Sequence, residues 1–576
     1  MKSSFLSDRI CIIFISFVTL GVYYPLIFAQ VCNVDDQRML NYLMSIETFD
    51  LKSIFFLKLV YYYRPLLYLT YMFDRFAWLC FESFMHLENI IIHLINGLLV
   101  FLCSKELEKR FKIDPSYLTP LIISLLFVLH PINTESICWI SGRSDLIAAT
   151  FIYLVIYLLL KNGLKDKSNI MLMSISYLLA LLCKETAVGL LPVILIFIFL
   201  IDNNQTFHSL KNRLILMIPF VLTTSFYLLL RSYAINRDVG IRIFSGIQRH
   251  PELASNDLTT SNINIIEAIG FYIKKLFLPL PLNFIIIEIN KTLYFWLGVL
   301  SIVILLYILY KRNLYSFIVM TIISFIAPAL MILFRNMTWT FIAERYLYIS
   351  SFGAVVLFVY LYYRVTSSIS LNLRLSILFI LIIASSFITV DRVIIWQTNL
   401  ALFEDVVKKS PNSGYARNEY GIALSQNKNY AEAIKQFKIA AKISRKSYIL
   451  PQFNQISTEL QMNGDLEKAK NDYINMLKDP QTYKYPLLIK IVDIIDQELL
   501  QNKKDSNTRA LTIEQIFYFS QAVKLKETGT NYYKLGQLYL NISDNINARN
   551  NFIKSIELEP NGFYAASAKK LIKSLQ

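Results

Sequence analysis

The sequence predicts an all-α protein in two parts: a polytopic helical membrane bundle of about eleven spans over residues 1–395, then a soluble array of paired helices over residues 396–576. Three observations carry that prediction. Of the 576 residues, 55% are hydrophobic and only 17% are charged, with a mean hydropathy of +0.46. A water-soluble chain of this size could not bury so much apolar surface. Apolar runs recur from residue 10 to residue 390, whereas beyond residue 400 apolar and polar residues alternate at helical spacing. Finally, Lys and Arg gather between the apolar runs rather than within them.

The runs, in order, are Ile10–Ala29, Phe84–Cys103, Tyr117–His130, Leu146–Leu160, Ile170–Cys183, Val188–Ile201, Leu214–Leu230, Leu293–Tyr310, Leu314–Phe334, Tyr346–Tyr363 and Leu375–Val390. Several are shorter than the roughly 20 residues of a perpendicular span, so they borrow flanking residues or thin the bilayer. The first follows a basic start, but Leu26-Ile27-Phe28-Ala29 offers no small-residue cleavage site, so it reads as an uncleaved span. Basic clusters follow the even-numbered spans: Lys105, Lys109, Arg110 and Lys112; Lys161, Lys165 and Lys167; Lys211 and Arg213; Lys311 and Arg312; Arg364 and Arg374. With the N-terminus inside, all of them face the cytoplasm. This requires that Ile265–Ile289 not cross. Its Lys274-Lys275 pair and its Pro279/Pro281 break suit an amphipathic helix at the outer interface instead. The net charge of +16 then speaks for anionic lipid headgroups rather than nucleic acid.

One consequence is that Val31–Phe81, Pro131–Asp145, Lys184–Ala187, Arg231–Asn264, Arg335–Arg345 and everything after residue 390 share the outer face, periplasmic or lumenal. The tail is a repeat array. Pro411–Ser444, 34 residues long, carries Gly421, Ala433, Phe437 and Ala440, and Asn531–Pro560 carries Tyr532, Leu535, Gly536, Tyr539, Ala548 and Phe552. These are tetratricopeptide spacings, in which small residues let two antiparallel helices approach and an aromatic fills the groove. A degenerate unit with Phe453, Ile456, Leu460, Ala469 and Tyr473 lies between them, and residues 481–525 are helical without a clean repeat. The aromatics are expected to be packing core. As a whole the array is a peptide- or protein-binding surface.

Five polar constellations interrupt the apolar part on the outer side: Asn33-Val34-Asp35-Asp36; Tyr62-Tyr63-Arg64-Pro65-Leu66, continuing to Asp74; His130 to Glu135, ending in Gly142-Arg143-Ser144-Asp145; Lys184-Glu185-Thr186; and Ala343-Glu344-Arg345-Tyr346-Leu347. Carboxylates at a membrane face are costly unless they do something. Structural roles compete with chemical ones at each place. Asp35-Asp36 can be a solvated turn, Arg64 can pair with Asp74, Arg143 with Asp145 and Glu344 with Arg345, while Lys184-Glu185 can cap helix ends. His86 and His93 share one helical face and read as packing residues.

The run Tyr63-Arg64-Pro65-Leu66, then His86-Leu87-Glu88-Asn89 and His93, then HPxxTExxxWxxGRxDL from His130, then CKET from Cys183, then AERYLY from Ala343, followed by repeats, resembles the transmembrane and tetratricopeptide-repeat glycosyltransferases. These belong to the GT-C fold group, alongside protein O-mannosyltransferases. The resemblance covers essentially the whole chain. It implies inverting transfer of a sugar, mannose above others, from a polyprenyl- or dolichyl-phosphate carrier to Ser or Thr hydroxyls of a protein recruited by the repeats. It also implies a base in the first outer loop, where Asp35 and Asp36 stand; the sequence leaves open which of them takes the proton.

Physical chemistry agrees. Adjacent carboxylates near a low-dielectric surface repel, which raises one pKa toward the working range of a general base. A leaving lipid phosphate needs fixed cations, and Arg64, Arg143, Lys184 and Arg345 are the ones the motifs supply. His130 and Glu135 would orient the acceptor or hold Arg143, with Asp145, Glu185 and Glu344 as further orienting groups. The six cysteines form no CxxC pair and the five histidines no HExxH, so no metal site is read and chemistry with the lipid-linked donor alone is favoured.

Other readings stay open: a glycolipid or cell-wall glycan as acceptor, or a non-catalytic membrane scaffold docking partners through its repeats. A transporter is the weakest, because the polar groups sit at span ends. The composition leans toward a bacterial inner membrane, with the endoplasmic reticulum as alternative. Asn290, Asn336 and Asn541 begin glycosylation sequons.

Overall fold

The computed structural model describes residues 2–55, 62–111, 118–164, 166–201, 210–234, 263–311, 313–333, 342–444, 448–479, 484–501, 508–560 and 562–575. Most of the outer stretches Arg231–Asn264 and Arg335–Arg345 lies outside these residues, as do Lys112, Lys165, Arg312 and the Asn336 sequon. Among the described residues the secondary structure is helical throughout, apart from a single bridge between Ile286 and Ile342. The chain divides into two compact units, one ending at Asn412 and the other running from Ser413.

Among the described residues of the first unit, eight helices are long and apolar enough to cross a membrane: Asp8–Phe28, Glu82–Phe111, Ile140–Asn162, Arg213–Ala234, Lys291–Tyr310, Leu314–Met331, Glu344–Val365 and Leu371–Ile395. A bent pair, Thr119–Val128 and Pro131–Cys138, meets at 43°, and two shorter apolar helices are Lys167–Cys183 and Glu185–Phe199. The described part of each of the eleven apolar runs overlaps one of these elements, eight of which are long enough to cross against the eleven spans expected. Ile265–Phe277 is a separate helix of 13 residues, too short to span alone. It opens on a capping box between Asn264 and Glu267. It crosses Lys291–Tyr310 at Gly270 and Gly298, where neither position has room for a β-carbon.

The bent pair explains the polar residues buried in the neighbouring spans. Pro131 has no N–H to continue the helix, so the carbonyls at the end of Thr119–Val128 lose their usual partners. In a low-dielectric interior an unpaired carbonyl is expensive, so broken backbone survives there only where protein groups satisfy it. Tyr23 donates its hydroxyl to the Val128 carbonyl (3.3 Å), with His93 Nε2 at 3.1 Å. Thr389 donates to Leu129 (2.8 Å) and the Asn133 amide to Phe127 (2.9 Å). Because a carbonyl only accepts, His93 Nε2 carries its proton. His93 Nδ1 then accepts from the Tyr348 hydroxyl (2.7 Å), which in turn accepts from Asn96 (3.0 Å). His93 is thus a structural donor, as its helical spacing with His86 suggested. His86 is also buried.

The two ends of the membrane unit are clasped. Gln30 N–H donates to Gln397 O (2.9 Å), Asn399 Nδ2 to Val31 O (2.9 Å), and Asn33 N–H to Asn399 Oδ1 (3.0 Å). The chain leaving the first span and the chain leaving the last therefore meet at one end of the bundle. The same clasp carries the helix Asn399–Lys409 into the first unit, with Arg392–Asp405 (2.5 Å) and Ser410 donating to Ile285 O (2.7 Å). The observed division accordingly falls after Asn412 rather than after residue 395.

The second unit is a series of helix pairs: Gly414–Gln426 with Tyr430–Ile443, Leu450–Asn463 with Leu466–Leu477, Lys484–Gln501 with Thr508–Leu525, and Gly529–Asn541 with Asn545–Leu558, closed by Ala565–Ser574. In the first and last pairs a glycine of the leading helix faces the aromatic of the following one. A β-carbon on Gly421 would lie 2.5 Å from the Phe437 ring, and one on Gly536 would lie 2.7 Å from Phe552. The degenerate unit packs Tyr473 against Phe453 (centroids 5.2 Å apart), and Lys484–Gln501 and Thr508–Leu525 form the third pair, around Leu488, Ile516 and Phe519.

Candidate active site

The chain leaves the first span through Ala29 in extended backbone and, at residues 33–35, folds into a turn that L-residues rarely adopt. Asp35 has φ 62° and ψ −43°, and Asp36 N–H donates to Val34 O across it (2.7 Å). An i to i+2 bond around a residue of positive φ is a γ-turn of the strained hand. Such a residue persists only where its surroundings over-determine it, at a cost of about 1–3 kcal/mol. The surroundings are visible. Trp139 Nε1 donates to Val34 O (3.2 Å), Ile140 N–H to Asp36 Oδ2 (3.2 Å) and Ser141 N–H to Asp36 Oδ1 (2.9 Å), joined by the Ser141 hydroxyl.

The two carboxylates therefore differ. Asp36 is fully buried and Asp35 is exposed. Burial lifts the Asp36 carboxyl to about 7 against the pull of its hydrogen bonds from Ser141, and the Asp35 charge adds to the rise.

Beside the turn stand three paired cations. Arg64, just before Pro65 at the start of Pro65–Ala77, grips Glu185 with two parallel bonds of 2.9 Å and lies over the Tyr62 ring at 4.3 Å. Lys184 donates to both Asp145 oxygens at 2.6 Å. Arg345 holds Glu135 at 2.6 Å, with its own N–H on the other oxygen at 3.1 Å, and packs over Trp139 and Tyr346 at 5.1 and 4.9 Å. Lys184 sits 5.8 Å from the Tyr346 ring, so the two cations flank one aromatic. Burial draws the Lys184 ammonium below its ordinary value; the charges of Arg64 and Arg345 push the same way, and Asp145 opposes. Burial raises the Tyr62 hydroxyl above its ordinary value; Arg64 opposes, and the charges of Glu185 and Asp35 add to the rise, which links Arg64 to the turn.

Arg143 is built differently. It is fully buried, and its donors go to Asn89 (3.0 Å), Asp74 (2.6 Å), Glu88 (2.9 Å) and Met85 O (3.0 Å). The side chains of Arg64, Lys184 and Arg345 keep 17%, 8% and 7% exposure, against 0% for Arg143. Of the four, Arg64 keeps the most exposure. Arg143 instead ties the start of its span to two other helices. None of the sequence-neighbour pairings forms as expected: Arg64 takes Glu185 rather than Asp74, Arg143 takes Asp74 rather than Asp145, and Glu135 holds Arg345 rather than Arg143. Glu344 accepts from Lys275 (2.5 Å) and Asn283 N–H (3.1 Å). His130 is spent locally, Nε2 on Leu276 O (3.0 Å) and Nδ1 accepting from Ile132 N–H (3.3 Å).

Ser141 and Lys275 escaped the reading of the sequence. Ser141 is an ordinary residue inside a long motif, and Lys275 reads as part of an amphipathic face. Among the described residues no three His, Cys, Asp or Glu side chains gather as metal ligands would.

No protein-family model matches the sequence. Curated proteins do. Human protein O-mannosyl-transferase TMTC3 is 23% identical over 545 residues, 87% of this chain and 58% of its own length. A Caenorhabditis elegans protein O-mannosyl-transferase is 25% identical over 61% of this chain and 50% of its own. Drosophila protein O-mannosyl-transferase Tmtc1 is 33% identical over a shorter stretch, 22% of this chain and 14% of its own. The chain thus spans 58% of the length of the human relative and 50% of that of the worm relative. Motif order, membrane-then-repeat layout and relatives along most of its length agree: the chain is similar to the TMTC protein O-mannosyl-transferases, the transmembrane and tetratricopeptide-repeat proteins that its motifs resemble.

Proposed function

We propose that this protein is a membrane glycosyltransferase of GT-C type. It moves a sugar, mannose by the names of its relatives, from a polyprenyl-phosphate carrier onto a Ser or Thr hydroxyl of a protein held by the repeat array. The observation that carries the reading is convergence: four of the five outer-face motifs, far apart in sequence, gather around one exposed aspartate and three oriented cations. The chemistry runs on the outer face, periplasmic in a bacterium and lumenal in the endoplasmic reticulum.

Asp35 is the base. It is the exposed residue of the pair, whereas Asp36 is fully buried. The acceptor hydroxyl gives its proton to Asp35 as its oxygen bonds to the sugar C1. The C1–phosphate bond breaks on the opposite face, inverting the configuration. The donor diester carries one negative charge, and the departing phosphate gains a second. Arg64, Lys184 and Arg345 meet that growing charge. Each is already fixed by a carboxylate, so little reorganisation accompanies the reaction. Arg143 holds the scaffold.

The test is transfer of radiolabelled mannose from its polyprenyl phosphate to a Ser/Thr peptide library by the purified full chain. Label on peptide hydroxyls is the expected result. Label confined to glycolipid or glycan in a parallel incubation would replace the protein acceptor with the alternative one.

A further inference from the structure

We propose that Trp139 and Ser141 are positioning residues: together they hold the strained turn that presents Asp35, with Asp36 as the anchor they grip. The proposal rests on Asp35 being the base.

The bonds fall on both flanks of one residue. Trp139 Nε1 reaches the Val34 carbonyl, the same oxygen that accepts the turn's own bond from Asp36 N–H. Ser141 reaches the Asp36 carboxylate with its backbone N–H and its hydroxyl, and Ile140 N–H takes the other oxygen. The clamp therefore fixes the peptide before Asp35 and the side chain after it, on either side of a residue that is itself exposed. All four bonds come from three successive residues that lie more than 100 positions along the chain. A non-glycine residue at φ 62° relaxes toward negative φ when such restraints are removed. That relaxation would swing the Asp35 carboxylate away from the acceptor hydroxyl while leaving the cations in place. Trp139 also lies beneath Arg345 (5.1 Å), so one side chain sets the base and one of the cations relative to each other.

A structural bystander and a positioning residue give different kinetics. The experiment uses the full chain in detergent, with Trp139→Phe, which keeps a ring beneath Arg345 and drops the indole N–H, and Ser141→Ala. Ser141→Thr restores the hydroxyl, and Asp35→Asn is the control for the base. Loss of a clamp bond should lower kcat on the order of tenfold in each single variant and about 100-fold in the double variant. The KM for the lipid donor should change by less than about twofold, and the melting temperature should hold. Ser141→Thr should recover most of the lost kcat. Wild-type kcat in the double variant, with Asp35→Asn inactive, overturns the proposal and leaves the base intact. So does a Ser141→Thr protein that is as stable as wild type yet as slow as Ser141→Ala. A fully active Asp35→Asn overturns the assignment of the base itself.

Discussion

The membrane unit and the repeat unit solve opposite problems of contact. In the repeats each helix packs on its sequence neighbour, and the same glycine-against-phenylalanine contact recurs at Gly421/Phe437 and Gly536/Phe552. In the membrane unit the decisive pairs are remote: Arg64 with Glu185 across 121 residues and Arg345 with Glu135 across 210. Local contacts leave a periodic trace in a sequence, whereas remote ion pairs leave none. The repeat unit is therefore a modular surface that tolerates local change, and the membrane unit is a network in which each charge depends on a distant partner.

Breaking the network at its most buried point should have the largest effect. Arg143→Met leaves Asp74 fully buried without its cation, which costs about 3–5 kcal/mol. The expected outcome is little folded protein by size exclusion in detergent. Pairing it with Asp74→Asn should recover folded protein, because the orphan charge is gone. Full folding of the single variant would remove Arg143 from the scaffold.

At the partly exposed edge the effect should be kinetic. Arg64→Lys keeps the charge but loses the two-pronged grip on Glu185. It should lower kcat/KM for the lipid donor by about tenfold, with stability close to wild type. Equal kinetics for Lys and Arg would show that orientation at this position is unimportant.

A smaller effect concerns pH. The Asp36 carboxyl lies near 7 in the folded chain against an ordinary 3.8. The folded protein therefore binds more protons than the unfolded one between these values. Its contribution to stability is complete below about 4 and is lost as pH rises through about 7. Thermal melts of Asp36→Asn across that window should show a flatter pH dependence than wild type. An unchanged slope would mean that Asp36 titrates normally.

The smallest change belongs to the repeats. Gly421→Ala forces a methyl group onto the Phe437 ring and should destabilise that helix pair by about 1–3 kcal/mol. Hydrogen exchange should localise the loss to residues 414–443, with transfer to short free peptides unchanged. Spread of the loss into the membrane unit would contradict the modular picture.

The same contrast explains what the sequence disclosed. Apolar length marked the eight helices long enough to cross a membrane, and small-residue and aromatic spacing marked the repeats, because both are short-range rules. The five polar motifs were visible as interruptions. Their pairings were not, since Glu135 gives no sign that its cation is Arg345. The split between Asp35 and Asp36 was equally hidden. It depends on a positive φ that no neighbouring residue type announces, and on Ser141, whose donors come from 105 residues along the chain.

The most direct test compares single-turnover mannosyl transfer to a Ser/Thr peptide by wild-type, Asp35→Asn and Asp36→Asn proteins of equal folded fraction. The geometry predicts no detectable transfer by Asp35→Asn and a slowed but measurable rate for Asp36→Asn. Transfer at the wild-type rate by Asp35→Asn would contradict it.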